Sequence, residues 1–207
     1  MRLQDVDLKA GDHYRNRYSL GFEPVTIPEG VSGNWRVQRY TVTENDVGLF
    51  NLRLIRDGQY HRIVPPGTYT RLVHGSAVVM TDTPAESHEH RRLLRAARGR
   101  VLLNGLGLGF CLAAILRKPE VESVTVVEKS GEVIALVAPH ISDPRLNIIQ
   151  ADALEWRPSK GIRFNAVWHD IWTNVMNGDD KPTATKLRRA YARKTDWQSC
   201  WSEEYVR

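Results

Sequence analysis

Between Val101 and Phe110 the chain reads VLLNGLGLGF, and Gly105, Gly107 and Gly109 fall where an apolar run gives way to a helical one. Glycines at such a junction permit a tight turn and let a ligand approach backbone N–H groups with no Cβ in the way. A dinucleotide fold would want a further glycine at 110 to seat helix on strand, but that residue is Phe110, which argues against NAD or FAD; the absence of GK[ST] removes a P-loop. Glu128 closes the next apolar run, where a carboxylate can accept hydrogen bonds from both hydroxyls of a ribose. Asp152 follows the third run, in QADAL, and could take the exocyclic amine of an adenine or cap the turn that follows. The fourth run, FNAVWHDIW, brings His169 and Asp170 to the same end. Asp170 and the π faces of Trp168 and Trp172 suit a cationic centre, and Asp170 or His169 is a candidate base for a protonated acceptor. An orienting hydrogen bond to the loop is the other reading of Asp170, and a structural role that of His169.

These residues need a frame that gathers them. From Arg100 the pattern alternates between strands (RVLLN, SVTVVE, LNIIQ, FNAVWHD) and helical stretches (to about Arg117, then GEVIALVAPH), the signature of βαβ units and a parallel sheet covered on both faces. Upstream, residues 1 to about 33 are polar and rich in Gly and Pro and predict an irregular arm. WRVQRYTVT predicts a strand, and Val47, Phe50 and Leu54 at helical spacing predict a short helix opened by Thr43 and stopped by Asp57-Gly58. Pro66-Gly67 suits a type II turn, and the runs Thr68 to Val73 and Ala77 to Met80 around His74-Gly75-Ser76 predict a hairpin. Thr83-Pro84-Ala85-Glu86 reads as a capping box opening a helix that runs to Gly99. The organisation expected is an N-terminal β-rich region over 1–82, a Rossmann-like core over 83–180, and a basic helix with a Trp-rich tail over 181–207.

With 207 residues, 42% hydrophobic and 26% charged, the chain matches a soluble globular protein and not a disordered or fibrous one. It contains no run of about 18 apolar residues, and MRLQDVDLKAGDHYRNRYSL has no apolar segment of signal-peptide type, so no membrane association and a cytoplasmic address are expected. Cys111 and Cys200 lack the spacing of a disulfide framework or zinc site and read as free thiols. Glu86, His88, Glu89 and His90 crowd together, but histidines at i, i+2 on a helix face apart, so the stretch reads as a solvated face and no metal site is expected. The net charge of +5 and the helix carrying Lys186, Arg188, Arg189, Arg193 and Lys194 leave a nucleic-acid surface as the secondary reading, behind a charged solvent face.

On the order glycine loop, Glu128, Asp152, residues 100–172 resemble the nucleoside-binding half of class I S-adenosylmethionine-dependent methyltransferases. The resemblance implies a truncated form of that α/β, Rossmann-like fold with S-adenosylmethionine as cofactor. Gly105, Gly107 and Gly109 would line its methionine and ribose, Glu128 would bind the ribose, and Asp152 with Ala153 would frame the adenine. Asn104, standing where the family often has an acidic residue, would contact the amino group. Asp170 and His169 would be the catalytic residues and Trp172 would help hold the acceptor. The order of β-rich segment, hairpin and capped helix is similar to the spermidine synthase family of aminopropyltransferases. Glu86-Ser87-His88-Glu89 resembles its Tyr-His-Glu signature with Ser87 in place of Tyr, and Asp170 matches the first aspartate of its Asp-Ser-Ser-Asp loop, the second falling at Thr173. VPPGTYTRL, DTPAE and HDIW also resemble small methyltransferase-like proteins often encoded by bacteriophages. The implied activity is methyl transfer to an unidentified acceptor, with aminopropyl transfer and a non-catalytic binding module as the alternatives.

After Asp170 the sequence predicts no apolar strand, so the sheet should be short and its open edge covered, a partner subunit in a homodimer being one way. Five of the six tryptophans (Trp156, Trp168, Trp172, Trp197, Trp201) lie in this last quarter, and are expected to pack the tail over the sheet edge in preference to lining a pocket.

Overall fold

Alternating polar and apolar residues in WRVQRYTV make β2 (Trp35–Val42), with Val37 buried on its inner face. In the computed structural model, which describes residues 25–46, 51, 54, 56, 63–173 and 178–202, β2 pairs antiparallel with β3 (Gly67–His74) from Trp35↔His74 to Val42↔Gly67. β4 (Ala77–Thr81) completes the predicted hairpin across Gly75-Ser76, where Gly75 takes a left-handed φ of 60°. A short β1 (Gly30–Ser32) pairs with β2 around Gly33, so the end of the expected irregular arm is a strand; residues 1–24 lie outside the described residues. Of the helix expected after Thr43, positions 44–46, 51, 54 and 56 are helical, and its stop at Asp57-Gly58 lies outside the described residues. Gly67 does not adopt positive φ, so Pro66-Gly67 leads straight into β3 and forms no type II turn.

The second sheet is parallel, in the order β7-β6-β5-β8-β9: β5 (Gly99–Asn104), β6 (Val121–Glu128), β7 (Leu146–Gln150), β8 (Phe164–His169) and β9 (Thr195–Cys200). Val101, Leu102 and Leu103 are all buried because both faces are covered. One face packs against α1 (Pro84–Glu89), α2 (Arg91–Ala96), α3 (Phe110–Leu116) and α4 (Gly131–Val137). The other packs against α5 (Lys181–Tyr191) through Leu187 and Tyr191. This is the expected α/β, Rossmann-like architecture with a small β-rich layer beside it. The antiparallel sheet leans on α4, so closely that a Cβ on Gly30 would lie 3.1 Å from Leu136.

Two expectations are corrected, one at the end of the chain and one before the parallel sheet. TDWQSC is a fifth parallel strand, β9, and α5 is the crossover that delivers it, so residues 181–200 belong to the sheet's βαβ pattern and are no separate appendage. Its composition hid it: the buried positions are filled by Thr195, Ser199 and Cys200 and show no apolar run, while Asp196 is exposed. The helix expected from Pro84 to Gly99 breaks at His90 into α1 and α2. Thr83 caps α1, but the Glu86 carboxylate does not return to the Thr83 N–H as a capping box requires; it accepts from the Thr81 N–H at 2.7 Å and the Thr81 hydroxyl at 2.5 Å.

Candidate functional site

Register decides which side chains meet. Residues paired across a parallel ladder share a face, and Leu103 pairs with Trp168 while Asn104 pairs with His169. Leu103 and Trp168 therefore face the helices α1–α4 and the antiparallel sheet, and Asn104 and His169 face α5. Beyond the strand end Asp170 returns to the first side, where a cleft of about 240 Å³ opens between the two sheets. Gly105, Glu128, Asp152 and Asp170 line it from the parallel sheet, and Trp35 and Met80 from the antiparallel one.

The glycine loop is shaped by close approaches. Gly105, at φ 106°, leaves room for the Asp170 carbonyl oxygen, which would lie 2.0 Å from a Cβ there. Gly107, at φ 53°, accommodates the Met80 sulfur, which accepts the Leu108 N–H at 3.2 Å. Glu128 ties the loop from the next strand: its carboxylate accepts the Leu106 N–H at 2.9 Å and the Ser130 N–H at 2.8 Å. A carboxylate offers about four lone-pair sites, so capacity for two hydroxyls remains. Asp152 accepts the Leu154 N–H at 2.8 Å and the Lys129 ammonium at 2.9 Å, and that lysine holds its carboxyl below the usual range. The capping reading of Asp152 holds, and the residue also lines the cleft. Ala153 and Trp172 also line the cleft, as do Trp168 and Trp201, so the Trp-rich end contributes wall as well as packing; Trp168 stacks parallel to Trp197 at 6.3 Å.

Three residues expected in the site are elsewhere. The His169 ring is fully buried against α5, 5.5 Å from Tyr191. Its Nδ1 takes a hydrogen bond from Asn104 Nδ2 at 2.8 Å, and its Nε2 meets Gln198 Oε1 at 3.2 Å. Asn104 faces the same side and is not among the residues that line the cleft. Gly109, the left-handed cap of α3, packs against α4: a Cβ would lie 2.4 Å from Ile141 and 3.2 Å from Val137. The period-2 alternation of a strand, applied to WHD, already separates His169 from Trp168 and Asp170.

The cleft also holds groups the sequence assigned elsewhere. The stretch from Glu86 to His90 is not a solvated face: Glu86 lines the cleft, and His90 is 1% exposed between Phe110 and Trp168. Burial, with Asp170 and Glu89 nearby, pushes Glu86 up to about 8 despite its bonds to Thr81. Burial, with the Glu89 and Glu128 carboxylates, pushes Asp170 up to about 7. Burial lowers His90 to about 4, so its imidazole is neutral. The arrangement is an aromatic-walled cleft with a glycine floor, the Glu128 and Asp152 carboxyls at successive strand ends, and the raised carboxyls of Glu86 and Asp170 beside them. Its lining sets the carboxyls of Glu128, Asp152 and Asp170 beside the aromatic face of Trp168.

Comparison with known proteins gives partial likenesses. No family model matches. A polyamine aminopropyltransferase from a Synechococcus strain is 31% identical over 87 residues, which is 38% of this chain and 28% of that protein, so the chain spans little more than a quarter of this relative's length. Among solved structures, spermidine synthase from Thermotoga maritima aligns over 68% of this chain and 46% of its own, at 19% identity and a TM-score of 0.40. A putative RNA methyltransferase from Pyrococcus horikoshii aligns over 54% of this chain and 56% of its own, at 16% identity and a TM-score of 0.41. Among the described residues no helix is long and apolar enough to cross a membrane.

Proposed function

We propose that this chain binds S-adenosylmethionine in the cleft and transfers its methyl group to an acceptor that is not yet identified. The observation that carries the reading is the convergence of the glycine loop, Glu128, Asp152 and Asp170 on one cavity at the carboxyl ends of parallel strands, the place where open α/β sheets bind ligands. Glu128 would accept the two ribose hydroxyls, Asp152 the adenine amine with Ala153 beneath the ring, and Gly105 and Gly107 would admit the methionine part. The bound cofactor supplies an electrophilic methyl on a cationic sulfur. Asp170, flanked by Trp168 and Trp172, would face that charge and, when ionised, take a proton from the acceptor. Displacement needs mainly alignment, and holding two reactants in line supplies up to roughly 7 to 11 kcal/mol of a barrier.

Aminopropyl transfer is the second reading, supported by the 31% identity to an aminopropyltransferase and by two acids, Glu86 and Asp170, deep in the cleft. Calorimetry and thermal shift with S-adenosylmethionine, its demethylated and decarboxylated forms, and NAD separate the readings. A ligand at about 100 times its dissociation constant adds roughly 2.7 kcal/mol. Stabilisation by intact and demethylated forms supports methyl transfer, preference for the decarboxylated form supports aminopropyl transfer, and no stabilisation by any of them overturns both.

A further inference from the structure

His90 is a buried histidine that the proposed chemistry leaves unused. It stands at the break between α1 and α2, is 1% exposed, and among the described residues neither ring nitrogen has a hydrogen-bond partner. An unpartnered polar group in a protein interior is costly and calls for a cause. Packing is not that cause, because a phenylalanine would make the same ring contacts with Phe110, at 6.2 Å, and Trp168, at 6.0 Å, without stranding two nitrogens. The nearest charge gives the direction: His90 Nδ1 lies 3.9 Å from Asp170 Oδ2. That is about an ångström beyond a hydrogen bond, a gap that a small rotation of the carboxyl closes.

We infer that His90 is a positioning residue for Asp170, a neutral imidazole behind the carboxyl that holds it toward the cleft and favours its ionised form. The inference rests on the reading of the cleft given under Proposed function. In the proton step one proton leaves the acceptor and lands on the Asp170 carboxylate, while His90 keeps its single ring proton. Before the step, Nδ1–H donates to the carboxylate, a charge-assisted bond. After it, the carboxylic acid has only a neutral partner. Charge-assisted bonds are about twice as strong as neutral ones, so the imidazole opposes the upward push of burial on Asp170. The other titratable groups near Asp170 are Glu86 and Glu89 of α1, Glu128 of β6 and Cys111 of α3. Of these, Glu89 and Glu128 push the same way as burial; the Trp168 side chain pulls Asp170 the other way, and His90 adds to that opposing effect.

The test uses two ligands that differ at the sulfur, cationic S-adenosylmethionine and neutral S-adenosylhomocysteine, with affinities measured by calorimetry across the neutral pH range. Their affinity ratio rises as Asp170 ionises, and the midpoint reads that ionisation without needing an acceptor. Asp170→Asn should flatten the curve and Glu89→Gln should lower its midpoint. His90→Phe should raise the midpoint by about half a pH unit or more while leaving the homocysteine ligand's affinity within about twofold. An unmoved midpoint in folded His90→Phe overturns the inference. If that variant does not fold, imidazole nitrogen spectra of the wild-type protein decide: His90 should stay neutral and shift in step with Asp170, and a His90 signal blind to pH overturns the inference. Failure of both ligands to bind overturns the nucleoside reading instead, and the nitrogen spectra still judge His90.

Discussion

Gly105 and Glu128 show how single residues set this site. A methyl group at 105 would meet the Asp170 carbonyl at 2.0 Å, and the backbone there, at φ 106°, is one that L side chains rarely adopt. Gly105→Ala is therefore expected to destabilise the fold by about 1–3 kcal/mol, read by urea denaturation, and to displace Asp170 from the cleft. Glu128 acts differently, since its carboxylate braces the loop through Leu106 and Ser130 and is also the acceptor proposed for the ribose hydroxyls. Glu128→Ala should weaken S-adenosylmethionine by about tenfold or more in calorimetry, following the loss of at least one charge-assisted bond; unchanged affinity would remove Glu128 from the site. The polar chain on the opposite face has no such role. Gln198 receives His169 and donates to the Arg188 carbonyl at 3.0 Å, so Gln198→Leu should cost about 1–3 kcal/mol of stability and leave ligand affinity unaltered.

At the scale of elements, what the sequence disclosed depended on how strongly each element obeys one period. β5, β6 and β8 are apolar on both faces, and the hairpin strands β3 and β4 are set off by Gly75, so their existence and order were legible. β9 was not, because its polar side chains find partners in other elements that sequence does not show, Asp196 accepting from Asn165 and Gln198 donating to the Arg188 carbonyl. The site divides the same way. Glu128 and Asp152 follow from strand ends alone, whereas Glu86 was hidden by a capping role it does not fill, and Met80 and Trp35 come from a second sheet whose placement over the cleft is a tertiary fact. His169 was a different error, local and avoidable, since adjacent residues of a strand face opposite ways.

For the molecule as a whole, the groups buried around the cleft tie its stability to pH. Glu86 ionises near its ordinary value of 4.5 in the unfolded chain but only at about 8 in the folded one, so between those values the folded state binds the extra proton. Stability contributed by this group is full below 4.5 and is lost as pH rises through 8. Asp170, raised from 3.8 to about 7, acts in the same sense. His90 acts in the opposite sense: lowered from 6.5 to about 4, it favours the folded state above 6.5 and withdraws that support as pH falls toward 4. Between 4.5 and 6.5 two acids oppose one histidine, and above 6.5 the acids act unopposed by it, so these groups displace the stability maximum toward acid. Glu86→Gln isolates the largest contributor, because its amide oxygen can still accept from Thr81 while nothing remains to ionise. Its melting temperature should match the wild type near pH 4 and exceed it by about 3 °C or more above pH 8, at roughly 2–4 °C per kcal/mol for a chain of this size. A difference that does not grow with pH would mean that Glu86 meets solvent in the folded protein, and the cleft would then lack the dry wall against which Asp170 is proposed to work.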